Sequence, residues 1–229
     1  MATSDTEKPQ FSNLSKRLSS GITLAVIVLS ILALGAPAFT LLMAVGAAIL
    51  LFEWLRLVSG WNMLWKIGGI FYIAIASSSL ASLSYIETGE SLFPMAIIFI
   101  LLTVAATDTG AYFSGKTIGG PKLCPSISPG KTWAGLIGGI TCAAIVSWLM
   151  IDYVPYPDST LNALFLGAII ALLAQTGDLF ISWMKRKAGV KDTGKILPGH
   201  GGLFDRMDGL MLTAPFFLVM TLMHLGAAQ

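Results

Sequence analysis

Residues 161–187 read LNALFLGAIIALLAQTGDLFISWMKRK. The first part, up to Ala174, is apolar apart from Asn162, and it lacks the polar–apolar alternation of a barrel strand. A continuous apolar run of this length satisfies its own backbone hydrogen bonds in a bilayer only as a helix. Polar residues then arrive at a helical interval. Gln175, Asp178, Ser182 and Lys185 stand at i, i+3, i+7 and i+10, along one face. Asp178 precedes Lys185 by seven positions, so it lies about 10 Å deeper along the axis. A carboxylate at that depth is costly against lipid and belongs on the bundle interior or in a wet cavity. A buried structural acid paired with a neighbouring base is the alternative.

The rest of the chain has the same character. Of 229 residues, 55% are hydrophobic and only 11% are charged, against about 25% charged in a soluble domain. Mean hydropathy is +0.79. The expected fold is an all-α, polytopic transmembrane protein with spans at 22–36, 38–55, 66–86, 92–114, 133–151, 161–184 and 208–226. Residues 1–20 form a polar, cytoplasmic N-terminal segment, and 21–229 a single integral membrane domain. Lys16 and Arg17 before the first apolar run, with APA at 36–38, also resemble a signal peptide. Pro37 inside that cleavage-like site and the many later spans favour a retained helix.

Charge placement supports this count. With the N-terminus cytoplasmic, all 14 Lys and Arg residues fall on the cytoplasmic side. Glu87, Glu90, Asp152 and Asp158 fall opposite, as the positive-inside rule requires. The six tryptophans, Trp54, Trp61, Trp65, Trp133, Trp148 and Trp183, lie near span ends as interfacial anchors do. The net charge of +2 is thus a basic membrane face and gives no reason to expect nucleic acid. Cys124 in a loop and Cys142 in a span make neither a disulfide nor a zinc site. Glu53 and Arg56, three apart, read as a pair at a helix end.

Two cytoplasmic loops carry the chemistry. KDTGKILPGHGGLFDRMDG, 191–209, offers Gly199, Gly201 and Gly202, which let backbone approach a ligand closely and form a concave anion site. Asp205 and Asp208, three apart, can hold a hard divalent cation that keeps waters and substrate phosphates. They can equally complement a helix dipole. His200 either donates to a phosphate or shapes the turn, and His224 reads as interfacial. The second loop, TDTGAYFSGKTIGGPKLCPSISPGKTWAG at 107–135, contains Asp108, Tyr112, Lys116, Lys122 and Lys131. Its GKT at 130–132 is not a P-loop, because Pro125 stands where the pattern needs glycine and no strand is expected before it. A basic, glycine-rich loop at a membrane surface suits a polyphosphate, a lipid phosphate or anionic headgroups.

From Ser182 to Asp208 the chain reads S-x-x-K-R-x-x-x-x-K-D-x-G-x-x-x-P-x-H-G-G-x-x-D-R-x-D. This closely resembles the signature of the phosphatidate cytidylyltransferases, or CDP-diacylglycerol synthases. DTGAYFSGK at 108–116 and ISPGKTWAG at 127–135 resemble that family's preceding loop. Gly209 departs from the serine common after the final aspartate, and the chain is short for the family. The resemblance implies a nucleotidyltransferase that makes CDP-diacylglycerol and pyrophosphate from CTP and phosphatidate. It implies a divalent cation, Mg2+ or another, on Asp178, Asp205 and Asp208. Asp178, Ser182, Lys185, Asp205 and Asp208 would be catalytic. Asp108, Lys116, Lys131, Arg186, Lys191, His200, Gly201, Gly202 and Arg206 would bind substrate. The expected setting is a bacterial cytoplasmic membrane, with the site facing the cytoplasm, membrane lipids around it and a homodimer allowed. A prenol kinase-type enzyme using CTP is the closer rival. A secondary transporter is the more distant one, since the acids cluster at one face and no repeat is evident.

Overall fold

The computed structural model describes residues 11–86, 94–154, 159–194, 196 and 201–227. Its helices are α1 (Phe11–Ala33), α2 (Ala36–Leu57), α3 (Met63–Leu83), α4 (Met95–Thr117), α5 (Trp133–Leu149), α6 (Thr160–Lys187) and α7 (Phe204–Ala227). A small antiparallel hairpin, β1 (Lys122–Cys124) and β2 (Ser128–Thr132), lies between α4 and α5. The protein is an integral membrane protein with an all-α body. Helices α2, α3, α4, α6 and α7 are long and apolar enough to cross a bilayer. The stretch Gly21–Ala33 of α1 and the 17 residues of α5 are apolar but shorter. At 1.5 Å per residue α5 covers about 25 Å, slightly less than a hydrocarbon core of about 30 Å. The sequence expectation of seven spans thus meets seven helices among the described residues, five of them of full spanning length.

Connections between successive helices gather alternate helix ends on one side. The carboxyl ends of α2, α4 and α6 meet the amino ends of α3, α5 and α7. Arg186 Nε donates to Ile127 O at 3.2 Å, and Lys187 Nζ lies 4.6 Å from the Trp61 ring centroid. Thr193 Oγ1 donates to Glu53 at 3.0 Å. The described lysines and arginines from Arg56 onward lie toward this end, and Asp152 follows α5 at the other. Lys8, Glu87, Glu90, Asp158 and Lys195 lie outside the described residues.

Two hydrophobic clusters hold the bundle. Leu80, Leu83, Ile97, Phe99, Leu166, Ile170 and Phe217 form the one away from the basic end, with Phe99 and Phe217 stacked at 4.8 Å. Leu50, Trp54, Ile73, Ile181, Phe204 and Met211 form the other, beneath the basic face. Trp54 corrects a sequence expectation. It is 2% exposed, and its indole N–H donates to Trp65 O at 2.9 Å. It lies across Gly69, where an added Cβ would strike the ring. Trp133 and Trp148 are exposed at opposite ends of α5, as anchors would be. Trp61, Trp65 and Trp183 surround the ammonium of Lys187.

Helices α4 and α5 approach through glycine. A Cβ on Gly139 would sit 2.9 Å from Thr107 O, and one on Gly135 would sit 2.8 Å from Ala111 O. Only small residues allow such backbone contact between membrane helices. The hairpin is a second correction, since no strand was expected near GKT. Residues Gly130, Lys131 and Thr132 lie within β2 itself. The strands have three and five residues, and β2 contains Pro129 and Gly130, so neither carries an alternation signal. The P-loop reading stays excluded, because GKT is part of a hairpin strand with Pro125 before it. Thr132 ends the strand and caps α5, its Oγ1 accepting from Gly135 N at 3.0 Å. Cys124 and Cys142 are both free thiols.

Candidate active site

The polar stripe of α6 faces the amino end of α5 and the first turns of α7. Gln175 is buried, and Asp178 and Ser182 follow on the same face, with Ser182 Oγ donating to Asp178 Oδ1 at 3.2 Å. The hairpin then delivers a cation. Lys131 Nζ lies 2.7 Å from Asp178 Oδ2 and donates to Gln175 Oε1 at 2.8 Å. Lys131 is 44 residues from Gln175 in sequence, and the short loop from α4 to α5 is what carries it there.

One helical step further, Lys185 turns to α7. Its Nζ lies 2.6 Å from Asp205 Oδ1, and both side chains are largely withdrawn from solvent. The other oxygen, Asp205 Oδ2, accepts from Thr193 N at 3.0 Å and Gly202 N at 3.0 Å, and shares the one hydroxyl proton of Thr193, whose Oγ1 is 3.1 Å away, with Glu53. Both carboxylate oxygens are therefore already engaged by donors, and Asp205 closes Thr193 and Gly202 onto α6. Gly201 makes this closure sterically feasible. Its φ of +83° suits glycine, and an added Cβ would lie 2.9 Å from Asp205 Oδ2.

Asp208 lies one turn further along α7. It accepts from Gly209 N at 2.8 Å through Oδ1. Asp178, Asp108 and Lys185 all lie within electrostatic reach of it. Asp108, from α4, is likewise within electrostatic reach of Asp178, Lys131 and Arg206. Asp108, Asp178 and Asp208 thus form one acidic group, drawn from three helices and edged by Lys131, Lys185 and Arg206. The backbones of α6 and α7 touch here, since a Cβ on Gly177 would run into Asp208 O.

A cavity of about 470 Å³ opens on one side of this group. Asp108, Tyr112, Lys116, Lys131, Gln175 and Asp178 line it, with Ser128, Gly130 and Thr132 of the hairpin at its edge. Lys116 leans over Tyr112, 5.5 Å from the ring centroid. The cavity has the size of a small-molecule site, and its wall mixes two lysines with two carboxylates.

Among the described residues no group of three His, Cys, Asp or Glu side chains is placed to cage a metal ion. The acidic group nonetheless suits one kind of cation. Its donors are hard carboxylate oxygens, and no hydrogen bond reaches Asp108 among the described residues. Magnesium takes one or two carboxylates and completes its shell with waters and substrate phosphates, so it needs no full protein cage.

Of the residues singled out from sequence, the fold brings together Asp108, Lys131, Asp178, Ser182, Lys185, Asp205, Arg206 and Asp208, with Lys116 on the cavity wall. Gly201 and Gly202 cradle Asp205. Arg186 instead ties α6 to the hairpin through Ile127 O, and Lys191 is exposed beyond α6. His200 and Gly199 lie outside the described residues.

Sequence reading missed Glu53. It was expected to pair with Arg56, but it is 1% exposed and turned inward. Its Oε2 accepts from Thr193 Oγ1 at 3.0 Å and Phe204 N at 2.9 Å, and its Oε1 from Leu203 N at 2.9 Å. These amides belong to the start of α7, where unpaired N–H groups and the helix dipole favour an anion. Gly194 and Gly202 leave room for the carboxylate, since a Cβ on either would press on it. The only sequence signal was an acid inside an apolar run.

Comparison with known proteins now bears on this site. The Cytidylyltransferase family pattern matches residues 59–224, which takes in α3 to α6, most of α7 and the acidic group with its three flanking cations, but not Glu53. A phosphatidate cytidylyltransferase of Rickettsia bellii (strain RML369-C) is 40% identical over 219 residues, covering 91% of this chain and 92% of its own. One from Rickettsia prowazekii (strain Madrid E) is 38% identical over 213 residues, 90% of each chain. One from Brucella suis biovar 1 (strain 1330) is 42% identical over 150 residues, 66% of this chain and 54% of the relative. The chain therefore spans about half the length of the Brucella relatives it matches and nearly all of the Rickettsia ones.

Proposed function

This chain belongs to the cytidylyltransferase family, and on that premise we propose that it transfers the cytidylyl group of CTP to phosphatidate, giving CDP-diacylglycerol and pyrophosphate. The observation that carries this reading is the acidic group of Asp108, Asp178 and Asp208, set among Lys131, Lys185 and Arg206 beside a polar cavity at the helix ends. Two polyanions must meet in this reaction, and such transfers are catalysed mainly by positioning and by charge stabilisation.

The nucleotide would enter the cavity between α4, α5 and the hairpin. There Lys116 and Lys131 face its phosphates, and the hairpin glycines let backbone come close. Lys131 is held by Asp178 and Gln175 in the free protein, so it is already aimed at the acidic group. A divalent cation, if bound, would be held by Asp178 and Asp208 with Asp108 beside them. It would neutralise the triphosphate and the leaving pyrophosphate. Asp205 would act through Lys185, holding that ammonium toward the reacting phosphates, and Ser182 would hold Asp178. A phosphate oxygen of phosphatidate attacks the α-phosphorus of CTP, and the bond to the β-phosphate oxygen breaks. The attacking phosphate is largely ionised near neutral pH, so no strong general base is required. Arg206, Arg186 and Lys191, on the exposed rim, would draw phosphates in from water.

The same reading places the site end of the bundle in the cytoplasm of a bacterial cell, with seven spans and a cytoplasmic N-terminus. It rests on the sorting of basic residues to that end. Homodimerisation belongs to the same proposal and affects none of the steps above. Purified protein incubated with labelled CTP, phosphatidate and Mg2+ should yield CDP-diacylglycerol and pyrophosphate, with each substrate required. A phosphorylated prenol without any CDP-lipid would instead make the protein a lipid kinase.

A further inference from the structure

Both oxygens of Asp178 already have partners in the substrate-free protein. Oδ1 accepts from Ser182 Oγ at 3.2 Å, and Oδ2 lies 2.7 Å from Lys131 Nζ. Lys131 and Asp178 both line the cavity of about 470 Å³, with side chains 17% and 34% exposed. Lys131 also has a second set of anchors. Its Nζ donates to Gln175 Oε1 at 2.8 Å and to Gln175 O at 3.4 Å. These anchors are neutral, and Gln175 lines the same cavity. The backbone around Lys131 is tied independently of its ammonium. Arg186 Nε holds Ile127 O at 3.2 Å, and Thr132 Oγ1 caps α5 at 3.0 Å. The hairpin therefore stays in place when the ammonium leaves Asp178, and the flexible stem of a lysine lets the point charge move by itself.

A divalent cation at Asp178 would compete with that ammonium for one carboxylate, and the two positive charges repel. While Lys131 sits there, part of the acidic charge is already answered and a bare cation gains less. A nucleotide changes the balance, because its phosphates offer the ammonium strong charged acceptors within the same cavity. We propose that Lys131 holds the place of the divalent cation in the substrate-free protein and releases Asp178 when the triphosphate arrives, so that metal binds with the nucleotide and not ahead of it. Gln175 keeps the ammonium in the cavity during the exchange. The assignment rests on the cytidylyltransferase reading above and adds an order of binding to it. A lysine that only contacts phosphate strengthens nucleotide binding and leaves metal binding alone. The ion pair with Asp178 makes Lys131 a competitor of the metal as well, so one substitution should move the two affinities in opposite directions.

The test measures two affinities of the detergent-solubilised protein separately: Mn2+ alone, from the spin resonance signal of the free ion, and labelled CTP alone, in EDTA. Lys131→Met should bind Mn2+ about tenfold more tightly than wild type, because one charge-assisted competitor is gone. It should bind metal-free CTP about tenfold more weakly, through loss of a contact of the same kind. Lys131→Gln keeps a donor for Asp178 without the charge and should show the same signs, so the test does not hang on the folding of one variant. Adding Asp178→Asn should abolish the gain in Mn2+ affinity. Lys116→Met removes a charge from the same cavity wall and sets the size of the general electrostatic effect, which should be much smaller. Unchanged or weaker Mn2+ binding by folded Lys131 variants would overturn the assignment. So would a gain that survives Asp178→Asn or is matched by Lys116→Met, or an unchanged affinity for CTP. The product assay is scored apart. Wild type that makes no CDP-diacylglycerol from CTP, phosphatidate and Mg2+ would overturn the cytidylyltransferase reading and the exchange with it, whereas failure of the Mn2+ arm removes only the place-holding role of Lys131.

Discussion

Asp178 is the residue on which the proposed chemistry turns, and its neighbours make it testable. Replacing it with Asn removes the charge and keeps the size. Lys131 would still have Gln175 Oε1 and the Gln175 carbonyl within reach, so its ammonium would not be stranded and the fold should hold. Loss of a transition-state contact worth about 3–4 kcal/mol would slow turnover by roughly two to three orders of magnitude. Wild-type turnover in a folded Asp178→Asn protein, with an unchanged magnesium requirement, would reduce Asp178 to a partner that merely holds the hairpin. Glu53 should behave differently. In Glu53→Gln one end becomes an N–H donor facing hydroxyl or amide donors, in a place that glycines keep tight. Breaking charge-assisted hydrogen bonds of this kind costs about 2–3 kcal/mol. The melting temperature should fall by several degrees, and activity with it, because α7 carries Asp205 and Asp208. An unchanged melting temperature would remove Glu53 from the anchoring of α7. These two acids also mark what a sequence reveals. Asp178 was legible because its companions recur at helical spacing within one segment. The partners of Glu53 lie 140 to 151 residues away, so nothing local distinguishes it from an acid at a helix end.

At the scale of elements, the site depends on how closely α6 and α7 approach. Gly177 precedes Asp178 and lies against Asp208 O. A Gly177→Val side chain must push α7 outward and would separate Asp178 from Asp208. Overpacking of this kind costs about 1–3 kcal/mol. We expect a lower melting temperature and a loss of turnover larger than the loss of stability explains. A Gly177→Val protein with wild-type turnover would show that the two carboxylates need not be held at this spacing. The helices themselves were readable, since long apolar runs fall within α1 to α7, with ends shifted by a few residues and α1 extended back to Phe11. The hairpin was not, because short strands holding proline and glycine owe their pairing to the helices they join. That gap mattered, since β2 carries Lys131. Asp205 shows a related limit. Its spacing from Asp208 suggested a shared cation, but Lys185, Thr193 and Gly202 engage both oxygens of Asp205, and no sequence interval encodes those contacts.

At the scale of the whole molecule, the charge distribution predicts which end of the bundle meets which compartment. Lys122, Lys131, Lys185 and Lys191 sit toward one end, while Asp152 lies in the 3-10 turn after α5 at the other. Positive residues are retained on the cytoplasmic side during insertion, so the site end should be cytoplasmic and Asp152 should not. The proposed reaction calls for the same orientation, because its nucleotide would arrive from the cytoplasm. The prediction is checked with single cysteines introduced by Lys122→Cys, Lys191→Cys or Asp152→Cys, on a background carrying Cys124→Ser and Cys142→Ser. A membrane-impermeant thiol reagent applied outside intact cells should label position 152 alone. Positions 122 and 191 should react only after the cells are opened. Helix α5 makes this a stringent test, since at 17 residues it is the shortest α-helix among the described residues and still has to separate position 122 from position 152. Labelling of 122 and 152 from the same side would mean that α5 does not cross. The hairpin and the carboxyl end of α5 would then share a compartment, and the seven-span arrangement would fall even with the geometry of the acidic group intact.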